Sequence, residues 1–251
     1  MVSVDTARNV VGILGNIISL FLFLSPLPTF IDIWKKKSVQ QYSPTPYLAT
    51  LVNCMVWVVY GLPMVRPNSL LVITINGTGT AIEFIYVILF ILYSDKKKRF
   101  KVVMTLVIGV VFIAVMALLV LTLAHTTQRR SMIVGLLGSG FNLIMYAAPL
   151  AVMKLVITTK SVEFMPFSIS FASFCNGAAW SSYAIIRFDP FIAIPNGLGC
   201  VLALAQLVLI GVFYKSTKMQ IEARRAKGEV DLSEVVVNGN GNVNGNGNSK
   251  T

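Results

Sequence analysis

Two asparagines stand out because each is followed by a glycine inside a long apolar run. Asn76 lies in the stretch ITINGTG, and Asn196 lies far along the chain in AIPNGLG. An asparagine amide both donates and accepts hydrogen bonds, so two such amides can bind neutral polar groups without any charge. The adjacent glycines permit neighbouring helices to approach closely around each amide. The pattern indicates recognition of a neutral ligand and not acid–base catalysis.

Two Trp-x-x-Tyr pairs accompany the asparagines. Trp57 precedes Tyr60, and Trp180 precedes Tyr183, at a spacing of one helical turn. An indole ring can cover a weakly polar surface and bury a large area. At a rise of about 1.5 Å per residue, helices carrying both tryptophans and both asparagines would bring these side chains to similar depths.

The chain that carries these residues has the composition of a multi-span membrane protein. Of its 251 residues, 55% are hydrophobic and 12% are charged, and the mean hydropathy is +0.75; soluble domains contain about 25% charged residues. Seven runs are long and apolar enough to cross a bilayer as helices. They are 7–30, 45–65, 70–93, 101–124, 131–155, 165–187 and 191–214, and the Asn/Gly-rich remainder, 215–251, predicts a disordered cytoplasmic tail.

The distribution of basic residues predicts the orientation in the membrane. Five arginines lie in the connections on one side, and the other Lys and Arg of the 21 lie on the opposite side. The positive-inside rule places the lysine-rich side and the C-terminus in the cytoplasm, with the N-terminus outside. Topology thus accounts for the net charge of +11, and we expect no nucleic-acid partner. The five arginines are Arg8, Arg66, Arg129, Arg130 and Arg187.

The sequence contains an internal repeat. An offset of 123 residues aligns VGILG with VGLLG and KSV with KSV, and a three-residue deletion near the end of the alignment then brings the two Asn-Gly pairs together. Repetition at a fixed period indicates duplicated structural units. The aligned residues include Pro26 with Pro149, Asn53 with Asn176, Trp57 with Trp180, Tyr60 with Tyr183, Pro67 with Pro190, and Asn76 with Asn196.

The repeat predicts the architecture. Residues 7–93 and 131–214 each form a three-helix unit, and the helix at 101–124 has no counterpart. Because three crossings leave the chain on the opposite side, the unpaired helix is needed to return it, and the two units then run parallel. The predicted fold is an all-α membrane protein of seven helices, with two parallel three-helix bundles joined by a linker helix.

The chain resembles the SWEET family of sugar transporters over residues 7–214. The motifs that carry the resemblance are GNIISLFLFLSPLPTF, KKKSVQQYSPTPY, VWVVYGLP, TINGTG, MYAAPL, TKSVEFMPFS and AIPNGLG. Parallel repeats about an axis along the membrane normal are known in this family. The resemblance implies a facilitative, bidirectional sugar uniporter that works by alternating access, without cofactor, metal or enzymatic activity.

A sugar presents a weakly polar face and a rim of neutral hydroxyls, which suits the Trp and Asn pairs predicted above. In the sucrose-carrying branch of the family, four further pocket positions tend to hold small residues. The larger residues in this chain predict a narrower cavity and a monosaccharide substrate such as glucose. These four positions are Leu22, Asn53, Met145 and Asn176.

The resemblance also implies moving parts. In the family, the residues matching Tyr60, Tyr183 and Asp189 close the extracellular gate. A tetrad of prolines lies in the cytoplasmic halves of the helices, where a bend can act as a hinge. The matching prolines are Pro26, Pro46, Pro149 and Pro166.

Several alternatives stay open at this stage. The carrier could take sucrose or an amino acid, or could couple transport to protons through Glu83, the one acid well inside a predicted span, which we expect to pair locally. Residence in the plasma membrane is expected by resemblance, with an internal membrane as the alternative. Assembly into a homo-oligomer is left open.

Overall fold

Nine helices make up the described part of the chain. The structure is a computed structural model that describes residues 3–226, and this part contains no strand. The nine helices form seven spans. The first span consists of α1 and α2, and the fifth consists of α6 and α7, with a break between the two helices of each. The helices are α1 (Val4–Leu24), α2 (Leu27–Lys36), α3 (Thr45–Gly61), α4 (Leu70–Tyr93), α5 (Lys96–Leu123), α6 (Thr127–Met145), α7 (Ala147–Thr159), α8 (Phe167–Ile186) and α9 (Pro190–Ala226).

Five of the seven spans have the length and apolar composition of a membrane-crossing helix. Of the other two, α3 has only 17 residues, and α8 carries serines and an asparagine that lower its hydropathy. Neighbouring helices cover both, since α3 packs on α4, α5 and α6, and α8 packs on α1 and α9. The predicted all-α fold of seven spans, with two three-helix units and a linker helix (α5), is confirmed.

The break in the first span follows from proline chemistry. Pro26 has no N–H to donate to the carbonyl of Leu22. That carbonyl instead accepts from the backbone N–H of Ser25 at 3.2 Å and from its hydroxyl at 2.7 Å. The second unit breaks at the matching place, where Tyr146 separates α6 from α7 and Pro149 lies in the first turn of α7.

The observed helices differ from the predicted runs in two respects. The runs 7–30 and 131–155 were each predicted as one helix, but each is divided by the break described above. The last helix, α9, continues past residue 214 to Ala226, so the beginning of the predicted disordered tail is helical. The rest of that tail, 227–251, lies outside the described residues.

The two units share an apolar core at only one end of the bundle, which we call the Asp189 end. There a single cluster joins residues of both units, including Trp57 and Tyr183. At the opposite end, where the lysines are concentrated, each unit has its own cluster, one around Phe30 and one around Val156. Accordingly α1 packs on α8 and α6 on α3 across the units, whereas α2 packs on α4 and α7 on α9 within them. The units are therefore joined at the Asp189 end and divided at the lysine-rich end.

Candidate functional site

A cavity of about 160 Å³ lies between the two units. Its walls come from α1, α3 and α4 of the first unit and from α6, α8 and α9 of the second. Half of the lining residues are polar and uncharged, two are tryptophans, and none carries a charge. The polar ones are Ser19, Asn53, Asn76, Asn142, Asn176 and Asn196, and the others are Phe23, Trp57, Val72, Ile75, Trp180 and Ile192.

Most of the lining consists of matching positions of the two units. Opposite walls of the cavity therefore present similar side chains, as a pseudo-two-fold axis through the cavity requires. Three pairs are identical and two differ. The pairs are Asn53 with Asn176, Trp57 with Trp180, Asn76 with Asn196, Ser19 with Asn142, and Val72 with Ile192.

Each tryptophan is held by a glycine of the other unit. A Cβ atom on Gly15 would lie 3.1 Å from the indole of Trp180, and one on Gly138 would lie 3.0 Å from the indole of Trp57. Gly15 and Gly138 are matching positions, so the contact is reciprocal. Trp57 is only 5% exposed and Trp180 only 6%, so each indole offers a small, fixed part of its surface to the cavity.

The two predicted asparagines are oriented by the same local bond. The Nδ2 of Asn76 donates to the carbonyl of Val72 at 2.9 Å, and the Nδ2 of Asn196 donates to that of Ile192 at 2.8 Å. Neither amide oxygen accepts a hydrogen bond within the described residues. Each oxygen is therefore available to a ligand that brings a donor, such as a hydroxyl group.

A chain of hydrogen bonds crosses the boundary between the units. The indole Nε1 of Trp180 donates to the Ser19 hydroxyl at 3.0 Å, and this hydroxyl donates to Oδ1 of Asn176 at 2.6 Å. By contrast, Oδ1 of Asn53 is buried without a partner. This chain fixes the second-unit wall of the cavity more firmly than the first.

Two polar lining residues, Ser19 and Asn142, were missed by sequence reasoning, as were the four apolar ones. The repeat alignment places Ser19 and Asn142 at matching positions, so the same offset that paired the tryptophans could have found them. Two predicted pocket residues, Leu22 and Met145, lie outside the lining. They belong to the last turns of α1 and α6, beside the breaks, and Phe23 occupies the wall instead.

The predicted gate residues meet at the Asp189 end of the cavity. The hydroxyl of Tyr60 donates to both carboxylate oxygens of Asp189, at 2.7 and 2.8 Å. The guanidinium of Arg66 pairs with the same carboxylate at 3.1 Å, and the guanidinium of Arg8 lies 4.0 Å from the ring of Tyr183. Tyr60, Tyr183 and Asp189 are almost fully buried. This end of the cavity is closed in the structure. From the sequence, Arg8 and Arg66 were assigned only to the connections, and their place beside the predicted gate residues was missed.

The four predicted hinge prolines fall into two groups. Pro26 and Pro149 lie at the breaks within the first and fifth spans. Pro46 lies in the first turn of α3, and Pro166 is the N-cap of α8. A proline at a helix start removes no internal hydrogen bond, so Pro46 and Pro166 do not bend a helix in the way expected from the sequence.

A fifth proline, Pro195, lies inside α9 beside the cavity. It cannot donate to the carbonyl of Phe191, which accepts from the hydroxyl of Ser139 at 2.9 Å instead. The carbonyl of Pro195 accepts from the hydroxyl of Tyr146 at 2.5 Å. Side chains of α6 and of the α6–α7 break therefore stabilise this part of α9.

Glu83 lies on α4, outside the cavity lining. Its side chain is buried, and Oε2 has no hydrogen-bond partner. The expected local pairing is therefore wrong, since no cation among residues 3–226 forms an ion pair with this carboxyl group. The same residues contain no cluster of His, Cys, Asp or Glu that could hold a metal ion.

Comparisons with known proteins agree with this geometry. The family model described as "Sugar efflux transporter for intercellular exchange" matches residues 9–98 and 132–218, which are the two repeat units. The bidirectional sugar transporter SWEET4 of Oryza sativa subsp. japonica is 58% identical over 95% of this chain and 93% of its own length. SWEET7 of Arabidopsis thaliana, also named a bidirectional sugar transporter, is 56% identical over 91% and 90%.

A solved structure shows the same fold. It is a eukaryotic SWEET transporter, 39% identical, with a TM-score of 0.82 over 84% of this chain and 99% of the other. The family comprises transporters and not enzymes. With both repeat units matched, relatives at more than half identity over nearly the whole chain, and a common fold, this chain belongs to the SWEET family of sugar transporters.

Proposed function

We propose that this protein is a facilitative, bidirectional uniporter for monosaccharides, with glucose as the principal substrate. The observation that carries the proposal is the lining of the central cavity, which offers amides, one hydroxyl and two indoles but no charge. Neutral sugar hydroxyls can donate to the unpaired amide oxygens of Asn76 and Asn196. The indoles of Trp57 and Trp180 can contact the C–H face of the ring.

The cavity size favours a monosaccharide over sucrose. Its volume of about 160 Å³ is below the roughly 300–1,000 Å³ of pockets that hold drug-sized ligands. Asn53 and Asn176 contribute amides to the wall where smaller residues would widen it. An amino acid is disfavoured because the lining has no charged group to pair with its ammonium or carboxylate group.

The unequal packing of the two ends supports alternating access. The Asp189 end is closed by the bonds among Tyr60, Arg66 and Asp189, while the two units are divided at the lysine-rich end. The breaks at Pro26 and Pro149 let α2 and α7 change angle without disturbing α1 and α6. Sugar would exchange with one side in this state, and the opposite side would open after the gate separates and the lysine-rich halves approach.

The charge distribution supports the orientation of this cycle. Lysines at the ends of α2 and at the start of α5 lie at the end opposite Asp189. The positive-inside rule makes that end cytoplasmic and places the Asp189 gate and the N-terminus outside. We place the protein in the plasma membrane, where a uniporter with this orientation exchanges sugar between the cytoplasm and the exterior.

Proteoliposome uptake tests the proposal. Labelled glucose should equilibrate without concentrating, should exceed labelled sucrose in rate, and should be insensitive to an imposed pH gradient. The double variant Asn76→Ala/Asn196→Ala should abolish glucose flux. Gln206→Ala is the matched control, because it removes an amide from α9 outside the cavity lining. Sucrose preference, or full flux in the double variant, would overturn the proposed site.

A second candidate is proton-coupled sugar transport through Glu83. It is favoured by one observation, a buried carboxyl group with an unpaired oxygen in the middle of a span. Gradient-driven accumulation of glucose above the external concentration would establish this mode. Uniport is preferred because Glu83 does not reach the cavity, and the matching position of the second unit is the apolar Ala203.

A further inference from the structure

A second polar cavity, of about 440 Å³, lies at the Asp189 end between α1, the start of α4 and the end of α8. Its walls include Asp5, Arg8, Asn68 and Arg187, together with the ring of Tyr183. The ring of Tyr183 packs on that of Trp180 with centroids 5.2 Å apart, and Trp180 lines the central cavity. The two cavities are therefore on opposite sides of the gate.

Arg8 is the unusual residue of this cavity. Its side chain is only 7% exposed, yet no acidic side chain of the described residues pairs with it. One guanidinium nitrogen, Nη1, donates to the carbonyl of Asn68 at 2.8 Å, the guanidinium stacks on Tyr183, and Nε is buried without a partner. Burying a cation without an anion is costly, so an anion bound in this cavity would be stabilised by the charge of Arg8.

The nearby acidic residues do not neutralise Arg8. Asp5 is exposed and forms its ion pair with Arg187, and Asp189 forms its ion pair with Arg66. A smaller adjoining cavity, of about 200 Å³, is lined by Arg8, Arg66 and Arg187 together. Three guanidinium groups and two carboxylates thus surround this region, and both carboxylates already form ion pairs.

The start of α4 forms part of the wall of the same cavity. Its N-cap, Ser69, makes no side-chain cap and lies outside the lining. Leu70 and Leu71, the first two residues of the helix, line the cavity. The N-terminus of a helix carries free N–H groups and a partial positive charge, which favour anions.

We propose that this cavity binds a small oxyanion, a carboxylate or phosphate group, beside Arg8 and the N-terminus of α4. The buried, unpaired guanidinium supplies charge, and Arg187 with the start of α4 supplies further donors. The group could come from a free anion outside the membrane or from a lipid headgroup at its surface, since Leu70 and Ile13 at the cavity rim are exposed apolar residues. The site is separate from the sugar cavity, so sugar transport and anion binding can succeed or fail independently.

Binding of labelled inorganic phosphate to the full chain tests the site. The protein is placed in nanodiscs of neutral phosphatidylcholine at constant ionic strength set with chloride, and phosphate binding is measured by equilibrium dialysis. We expect saturable binding that Arg8→Gln weakens about tenfold or more, because a hydrogen bond to a charged group contributes about 1.5–3 kcal/mol. Arg129→Gln is the matched control, an exposed arginine outside both cavities.

Asp5→Asn keeps the proposal testable if Arg8→Gln does not fold. The exposed Asp5 contributes negative charge to the cavity, so its removal should strengthen phosphate binding several-fold. A second arm omits phosphate and includes phosphatidic acid, with retained lipid identified by mass spectrometry. Retention of phosphatidic acid that depends on Arg8, without phosphate binding, assigns the oxyanion to a lipid headgroup. The proposal is overturned if wild type and Arg8→Gln bind phosphate equally, or if chloride competes for the site as well as phosphate does. It is also overturned if Asp5→Asn does not strengthen binding, or if neither arm shows binding.

Discussion

Arg66 and Asp189 occupy matching positions of the two repeat units and form an ion pair with each other at 3.1 Å. In a protein with two identical units, these positions would hold the same residue, and a contact between them would bring like charges together. Here the two positions have opposite charges, so their contact across the axis is attractive. Tyr60 adds two hydrogen bonds to the same carboxylate. The pseudo-symmetry is thus broken at the residues that close the Asp189 end of the cavity.

Neutralising this carboxylate should weaken the closed gate. We expect Asp189→Asn to destabilise the state closed at the Asp189 end by about 1.5–3 kcal/mol, the range for a hydrogen bond to a charged group. The proposed alternating-access cycle requires the closed state, so glucose exchange in proteoliposomes should slow by about tenfold or more. Arg129→Gln, at the same end but outside the gate, should exchange glucose at the wild-type rate.

Exchanging the two charges distinguishes an ion pair from two separate roles. The double variant Arg66→Asp/Asp189→Arg should exchange glucose faster than either Arg66→Asp or Asp189→Arg alone, because the attraction is restored across the axis. A swapped variant no faster than the slower single variant would show that the charges do not act as a pair.

The glycines that hold the tryptophans should not tolerate a methyl group. A Cβ on Gly15 or Gly138 would approach the indole of Trp180 or Trp57 within 3.0–3.1 Å, so the ring must shift by a few tenths of an ångström. We expect Gly15→Ala and Gly138→Ala to reduce glucose flux and to lower the melting temperature. Gly140→Ala in α6 is the matched control, because nothing lies within 4 Å of its Cβ. Unchanged flux in both test variants would mean that the indole positions are not important for transport.

The fold could be predicted from sequence because hydropathy and the repeat act along the chain. Apolar runs mark the spans, and the odd number of helices per unit requires the linker. The breaks were harder to locate, since Pro26 and Pro46 look alike in sequence. Only the structure shows that one lies between two helices and the other in a first turn. A proline interrupts a helix only if residues on both sides are helical.

The polar residues of the cavity lining were predicted where both units carry the same residue and missed where they differ. Identical pairs such as Asn76 with Asn196 are visible in the alignment. Ser19 and Asn142 align at the 123-residue offset, but the two residues differ, so the alignment alone does not single out this position. Arg8 has no charged match in the second unit, where Ser131 is its counterpart, and its burial depends on the packing of three helices.

The differing polar pair in the lining, Ser19 with Asn142, gives a prediction of its own. Ser19→Ala removes the acceptor for the Trp180 indole and the donor to Asn176, so a buried N–H is left unsatisfied at a cost of about 1–3 kcal/mol. Asn142 makes no side-chain hydrogen bond within residues 3–226, so Asn142→Ala removes only an amide that lines the central cavity. We expect Ser19→Ala to lower the melting temperature, and Asn142→Ala to raise the KM for glucose with the melting temperature unchanged. The reverse assignment would place the ligand against the first-unit wall and contradict the geometry described here.

Glu83→Gln separates uniport from proton coupling. The substitution keeps the shape of the side chain and removes its ability to carry charge. The buried carboxyl group has no cation partner in the described residues, so no ion pair is lost and the fold should be retained. Under uniport, the variant should equilibrate glucose at the wild-type rate with or without a pH gradient. Asp32→Asn, which removes the carboxylate of a partly buried ion pair with Lys36 at 3.0 Å, is the matched control. If the gradient drives glucose accumulation in the wild type, and only Glu83→Gln loses it, proton coupling is assigned to this residue. A single neutral side chain in its place would then have uncoupled sugar movement from proton movement.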